Sequence, residues 1–303
     1  MATPQVTKLH TLLGHNDCVY TLQSADVPNK FFSGAGDGMV VLWDLADPTE
    51  GKLIAKLENS VYALHHHPAT HQLIIGHNYE GIHVIDWKNK VETGSLKFTT
   101  AAIFDITSFS DLLFVATADG TVYAIDNKNL RIINSTKRSE KSARTLAVNP
   151  KQKELAVGYS DNWIRVFDIK TLELKYQWSA HDNSVFSVRY SPNFKFLLSS
   201  SRDARLKVWN VGARYAQQTE IVAHMYAINH IDFSPDGKHF VTCSMDKSIK
   251  VWDAEEFQLL KVIDKSRHAG HGTSVNKLLW TNFNDQLVSA SDDRTISIWN
   301  IIF

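Results

Sequence analysis

An all-β chain built from repeated four-stranded units is what this sequence predicts, on three observations. First, four stretches share one spacing: His15, Ser33, Asp37 and Trp43; His181, Ser199, Asp203 and Trp209; His224, Thr242, Asp246 and Trp252; His271, Ser289, Asp293 and Trp299. In each, the His precedes the Asp by 22 positions, the Ser or Thr precedes it by 4, and the Trp follows it by 6. Second, seven short apolar runs end at positions 43, 85, 125, 167, 209, 252 and 299, which lie 40 to 47 residues apart. Third, turn signals such as Gly36-Asp37-Gly38, Asp119-Gly120 and Ser234-Pro235-Asp236-Gly237 separate short β-rich runs, with no helical period of useful length. Repeats of this length ending in Trp-Asp or Trp-Asn signal a β-propeller. The expected fold is therefore a single seven-bladed β-propeller of four-stranded antiparallel blades.

Each blade rests on its own ending. Blade one, near 15–57, ends its third strand in Val41-Leu42-Trp43-Asp44, and blade two, near 58–98, in Val84-Ile85-Asp86. Blades three (99–137) and four (138–178) end in Tyr123-Ala124-Ile125-Asp126 and Val166-Phe167-Asp168. Blades five (179–222) and six (223–265) end in Val208-Trp209-Asn210 and Val251-Trp252-Asp253. Blade seven takes residues 266–303, with Ile298-Trp299-Asn300, and borrows residues 1–14. The chain stops at Phe303, just past a third strand, while a spare strand, residues 5–12, precedes Gly14-His15. That strand is expected to become the outer strand of blade seven, removing an open seam of unpaired sheet edge. The whole chain, 1–303, then reads as one domain without linker or tail.

Composition narrows the function. The 303 residues carry 32 Lys plus Arg and 32 Asp plus Glu, a formal net charge of zero. This removes the simplest electrostatic case for nucleic-acid or acidic-membrane binding, so neither partner is expected. The two cysteines, Cys18 and Cys243, lie far apart and read as reduced thiols. Residues 1–13 lack a basic segment followed by an apolar run, and no apolar stretch nears the ~20 residues that span a bilayer. A soluble cytoplasmic protein, or a nuclear one in a eukaryote, is the expectation.

The repeated residues can satisfy one another. A buried indole N–H needs an acceptor, which a Ser or Thr hydroxyl supplies. A His bridges that hydroxyl to a carboxylate, and the Asp in the tight turn also takes backbone N–H groups. Ser, His and Asp together also suggest nucleophilic catalysis, but one active site does not need four copies and the Trp has no catalytic part. Repeats two to four depart from the set, with Tyr79 and Ile85, Val115 and Ile125, and Ser139, Val157 and Phe167 at the corresponding places; Asp119 and Asp161 remain. Apolar packing is expected to replace the polar network there.

On these motifs, Gly14-His15 with Trp43-Asp44, Ala180-His181 with Trp209-Asn210, His224 with Trp252-Asp253, and Gly270-His271 with Trp299-Asn300, the chain resembles the WD-repeat β-propeller family over essentially its whole length. The resemblance implies that the four repeated residues form a structural tetrad. It also implies partner binding on a top face around the central channel, through residues five positions after the tetrad His on each first strand. These are Tyr20, Tyr62, Phe104, Arg144, Phe186, Asn229 and Asn276. Small residues stand two positions earlier, and Gly36, Asn78, Ala118, Ser160, Arg202, Met245 and Asp292, each before the tetrad Asp position, face the same side. Aromatics and Arg are favoured interface anchors, and paired rings also suit a partner's Arg or Lys held between them.

The function expected is a non-enzymatic scaffold that binds a protein or peptide there, the chain being monomeric by itself. The alternative is a propeller enzyme or small-ligand binder using the central channel, which a carboxylate cluster or a complete histidine set would favour. No cofactor is expected. His65, His66, His67, His71, His77 and His83 resemble a metal cluster, but adjacent strand residues point to opposite faces, so no metal site is expected.

Overall fold

The structure, a computed structural model, describes residues 3–67 and 69–303. Residues 1 and 2 of the expected closing segment, and the proline of the blade-two turn, lie outside the described residues.

Strand β1 spans Gln5–Leu12. The first sheet is β2 (Val19–Ser24), β3 (Lys30–Ala35), β4 (Met39–Asp44) and β5 (Lys52–Lys56). The second is β6 (Leu64–His66), β7 (Leu73–His77), β8 (Gly81–Asp86) and β9 (Val91–Lys97). The third is β10 (Ile103–Phe109), β11 (Leu112–Thr117), β12 (Thr121–Asp126) and β13 (Arg131–Lys137), and the fourth β14 (Ala143–Asn149), β15 (Glu154–Tyr159), β16 (Trp163–Asp168) and β17 (Leu174–Ser179). The fifth is β18 (Val185–Tyr190), β19 (Phe196–Ser201), β20 (Arg205–Asn210) and β21 (Ala216–Val222). The sixth is β22 (Ile228–Phe233), β23 (His239–Ser244), β24 (Ile249–Asp253) and β25 (Leu259–Ile263). The last, β26 (Val275–Trp280), β27 (Leu287–Ser291) and β28 (Ile296–Ile302), takes β1 as its fourth strand. All pairs are antiparallel, and β1 runs against β28 from Gln5 opposite Ile302 to Leu12 opposite Ile296.

Strand position within a sheet follows burial. A second strand such as β15, Glu154-Leu155-Ala156-Val157-Gly158-Tyr159, is buried at every residue, because it is covered on both faces. An outer strand such as β17 alternates half-buried and exposed along Leu174–Ser179, the period-two pattern of a one-sided strand.

The sheets fall into two compact units. One holds the chain up to Val61 and from His224 to Phe303; the other holds Tyr62–Ala223. In the first, apolar cores lie between adjacent sheets: Phe31, Val41 and Trp43 pack with Val288, Ile296 and Ile298, and Val241 and Val251 with Leu278 and Trp299. In the second, Ile74 and Val84 pack with Ile106 and Leu113, Phe114 with Leu146 and Tyr159, and Ala156 and Val166 with Val188 and Leu197. Polar latches add to these cores. Asp105 accepts the Leu146 N–H at 2.8 Å, and Asp232 accepts that of Trp280 at 2.8 Å. The buried Glu154 carboxylate takes the Tyr215 hydroxyl at 2.6 Å and Lys175 at 2.6 Å, so it is paired rather than stranded.

Four sheets hold the repeated residues together. Trp43 Nε1 donates to Ser33 Oγ at 2.8 Å, His15 Nε2 lies 2.7 Å from the same oxygen, and His15 Nδ1 lies 3.2 Å from Asp37. In the fifth sheet, Trp209 and His181 both lie 2.8 Å from Ser199 Oγ, with His181 2.9 Å from Asp203. Trp252, Thr242, His224 and Asp246 repeat the arrangement at 2.8 to 2.9 Å, and Trp299, Ser289, His271 and Asp293 repeat it at 2.8 to 3.0 Å. Each Asp also takes backbone amides across its turn, as Asp203 does from Asp182 and Arg205. Burial would raise the Asp203 carboxyl, yet His181 and these two amides hold it down at about 2. The residue after the Asp turns left-handed: Gly38 has φ 76°, and Ala204 bears φ 65° in the same place.

Sheets two to four differ from the purely apolar replacement expected. Val115, Ile125, Val157 and Phe167 are buried as apolar fillers, but polar groups persist beside them. Arg165 pairs with Asp161 at 2.9 Å and lies 4.6 Å over the Tyr159 ring, while Asp119 takes the Thr117 hydroxyl at 2.7 Å. With Lys97 and Ser139 standing where the tetrad His would be, the turn carboxylates of Asp119 and Asp161 bond to nearer donors.

Candidate protein-binding face

Six first strands carry a β-bulge at the position expected to face a partner. Pairing skips Tyr20, Phe104, Arg144, Phe186, Asn229 and Asn276 in β2, β10, β14, β18, β22 and β26. A bulged residue leaves the ladder and its side chain is re-aimed. Tyr62 departs from the expectation: β6 begins only at Leu64, so Tyr62 precedes its strand. Asn78 also departs, being 2% exposed with its side-chain oxygen accepting the Ile103 N–H at 2.9 Å. It is a latch between sheets.

In the Tyr62–Ala223 unit, Arg144 stands between two phenyl rings. Its guanidinium carbon lies 4.4 Å from the Phe104 centroid and 5.2 Å from that of Phe186. Tyr62 flanks Phe104 at 5.8 Å between ring centroids. Arg144 Nε donates to Ser160 Oγ at 2.9 Å. Phe104, Arg144 and Phe186 are half-buried, and Arg202 is exposed. Burial, then the positive charge of Arg202, push the Arg144 guanidinium below its ordinary value, while Tyr62 opposes them. A guanidinium stays charged in proteins, so the place expected to clamp a partner's cation is filled by the chain's own cation. The consequence is a change of sign: this face presents positive charge, oriented by rings and by one hydroxyl.

In the other unit the expected residues are turned inward. Asn229 Nδ2 donates to Ser274 Oγ at 3.0 Å and to the Val275 carbonyl at 2.8 Å. Asn276 Nδ2 donates to the Val19 carbonyl at 3.0 Å and to Asp292 at 2.7 Å. The donors of both amides are committed to neighbouring strands. Tyr20 is half-buried. At the same end of the sixth sheet, Met225, Tyr226 and Met245 are 80, 61 and 51% exposed, and Met245 N–H donates to the Ala227 carbonyl at 3.0 Å. Sequence reading missed Met225 and Tyr226. Two large residues, Met225 and Tyr226, directly after the tetrad His, where Asn16-Asp17, Asp182-Asn183 and Gly272-Thr273 stand in the other three sets, were the available signal.

Cys18 and Cys243 are both free thiols, Cys243 buried. Among the described residues no helix is long and apolar enough to cross a membrane.

The chain belongs to the WD40 family: a family model described as "WD domain, G-beta repeat" matches residues 6–44, 172–210, 216–253 and 263–300, about half of the chain. Those four segments carry the four complete tetrads; the first three run from the outer strand of one sheet through three strands of the next, and the fourth begins at the last residue of β25 and runs through β26 and β27 into β28. Human striatin-3 is 28% identical over 214 residues, covering 71% of this chain and 23% of that protein. Protein groucho of Drosophila melanogaster is 22% identical over 216 residues, covering 68% of this chain and 29% of that protein. The chain thus spans about a quarter of the length of these relatives. Among solved structures, the WD40 β-propeller domain of Doa1 superposes with a TM-score of 0.86 at 16% identity, covering 99% of this chain and 97% of that one. The seven sheets are the blades of a seven-bladed β-propeller. Propellers of this family are typically protein-interaction scaffolds and are generally non-enzymatic.

Proposed function

We propose that this chain is a single-domain, non-enzymatic scaffold that holds an acidic segment of a partner protein on the face bearing Arg144. The observation that carries this reading is the Phe104–Arg144–Phe186 stack, with Ser160 fixing the guanidinium and exposed Arg202 adding charge beside it. A planar guanidinium held in one orientation presents its remaining N–H groups as a fork for a carboxylate. Its rotamer entropy is already lost before binding, which favours affinity. Arg and aromatic residues are also the usual hot-spot types. The partner-binding set is therefore centred on Arg144, Arg202, Phe104, Phe186 and Tyr62, with Met225, Tyr226 and Met245 as a separate apolar contact surface. Asn229 and Asn276 act in strand packing. The free thiols fit a cytoplasmic protein.

Selection from a random peptide display library tests this. Wild-type protein should enrich Asp- and Glu-containing peptides, and Arg144→Glu should abolish that enrichment while its circular dichroism stays unchanged. Enrichment of Lys- or Arg-rich peptides, or of acidic peptides equally by wild type and R144E, would overturn the assignment.

A further inference from the structure

Blade two carries a set of side chains that neither the repeat nor the binding face uses. On the β7–β8 hairpin, His77 Nδ1 and His83 Nε2 face each other at 3.0 Å, their ring centroids 5.1 Å apart. Glu80, in the turn between them, places Oε2 3.9 Å from His77 Nδ1, while its Oε1 lies 3.4 Å from Lys97. One ligand atom from each of His77, Glu80 and His83 lies within 4.8 Å of the other two. The other ring nitrogen of His83 is also held: Nδ1 lies 3.1 Å from Glu92 Oε1, on β9.

We propose that His77, Glu80 and His83 form a binding site for a divalent transition-metal ion of the Zn²⁺ class. Two imidazole nitrogens and one carboxylate oxygen are ligands that Zn²⁺ prefers. A tetrahedral ion at ~2.0–2.1 Å from each nitrogen needs them about 3.3 Å apart. The present separation is close to that, so a small opening of the hairpin suffices. His77 is nearly buried and Glu80 half-exposed, so the fourth position would open to water on the Glu80 side. Glu92 supplies the outer carboxylate that metal-bound histidines usually have, fixing His83 with Nε2 directed at the ion. The register explains the convergence: Ile75 pairs with His83, so His77, two residues on, shares the face of His83. This hairpin lacks the tetrad Asp and Trp, and a bound ion would tie its two strands as the tetrad ties those of the four sheets that carry it.

Zn²⁺ titration by calorimetry, with Co²⁺ absorption as a second probe of tetrahedral ligation, tests the site on the full chain. Wild type should bind one ion here and melt at a higher temperature with Zn²⁺. Glu80→Ala, a half-exposed turn change that leaves the strands intact, should weaken binding, and His83→Ala should remove it. Glu92→Gln should weaken it about 10–100-fold, and His71→Ala should leave it unchanged. No Zn²⁺ binding by folded wild type, equal affinity in wild type, E80A and H83A, or loss in H71A alone would each overturn the proposal.

Discussion

The guanidinium of Arg144 lies 4.4 Å from the centre of the Phe104 ring, on the neighbouring sheet. A cation over a ring face is attracted by the ring quadrupole, more so when partly desolvated. This contact converts an aromatic cleft into an oriented positive charge, and the proposed partner chemistry follows from it.

Removal of either supporting ring should therefore weaken partner capture without removing the charge. Phe186→Ala is expected to cost about 2 kcal/mol of binding, roughly 30-fold in affinity. Lys170→Glu, in the exposed turn after β16, should leave capture unchanged. Affinity measurements on a partner isolated with the wild-type chain make the comparison. Loss with K170E and retention with F186A would place the surface elsewhere.

The tetrads should act as stability elements. Asp203→Ala leaves His181 and the Asp182 and Arg205 amides without their acceptor, an expected cost of ~1–3 kcal/mol. Tyr79 occupies the matching place in blade two and is 56% exposed, so Tyr79→Ala should cost less. Urea melts of both variants decide this, and equal losses would count against the tetrad role.

Strand β1 should be needed for blade seven. It pairs with β28 along its length, its Leu12 is buried in the core beside Ile296, and Lys8 lies 5.6 Å over the Trp299 ring. Deletion of residues 1–12 strips one edge of β28, and an unpaired apolar edge invites association. Aggregation or a lowered melting temperature is the expected result, read by light scattering and calorimetry. An unchanged, monomeric product would contradict it.

Acid should destabilise the fold in two windows. Burial, with His67 and His66 adding to it, lowers His65 from 6.5 to about 3; burial also lowers His15 and His224, against the pull of Asp37 and Asp246. Between the folded and unfolded values the unfolded chain binds more protons. Stability is thus greatest above about pH 6.5 and falls as pH drops, for His65 toward 3 and by up to ~1.4 kcal/mol per pH unit, with His15 and His224 acting in the same direction. The Asp203 contribution has the opposite origin: its folded value is depressed, so it is present above the unfolded value and is lost as pH falls through about 2. Urea midpoints at pH 8, 6 and 5 should decline, and His65→Gln should flatten the decline. A midpoint that rises toward pH 5 would exclude this linkage.

The sequence by itself determined the propeller, the blade number, and the closing strand at residues 5–12, because the tetrad is internal to one blade. Its His, Ser, Asp and Trp meet through hairpins of constant length, so their contact is written as constant spacing along the chain. Gln5–Leu12 was legible for a related reason: an alternating strand stood before the first repeat while the last repeat lacked its fourth strand. The binding face was legible only as positions. That Arg144 fills the gap between Phe104 and Phe186, and that Asn229 and Asn276 are spent on neighbouring strands, was decided by the tertiary structure. Those contacts join different sheets, 40 to 46 residues apart for Arg144 and Asn229 and 257 apart for Asn276 and Val19, through bulges that redirect each side chain. The histidines divide the same way. His65 and His66 alternate along β6, whereas His77 and His83 converge because a hairpin register, not a local spacing, puts them on one face. Local periodicity reports which way a residue points; only the packing of distinct strands decides what it meets there.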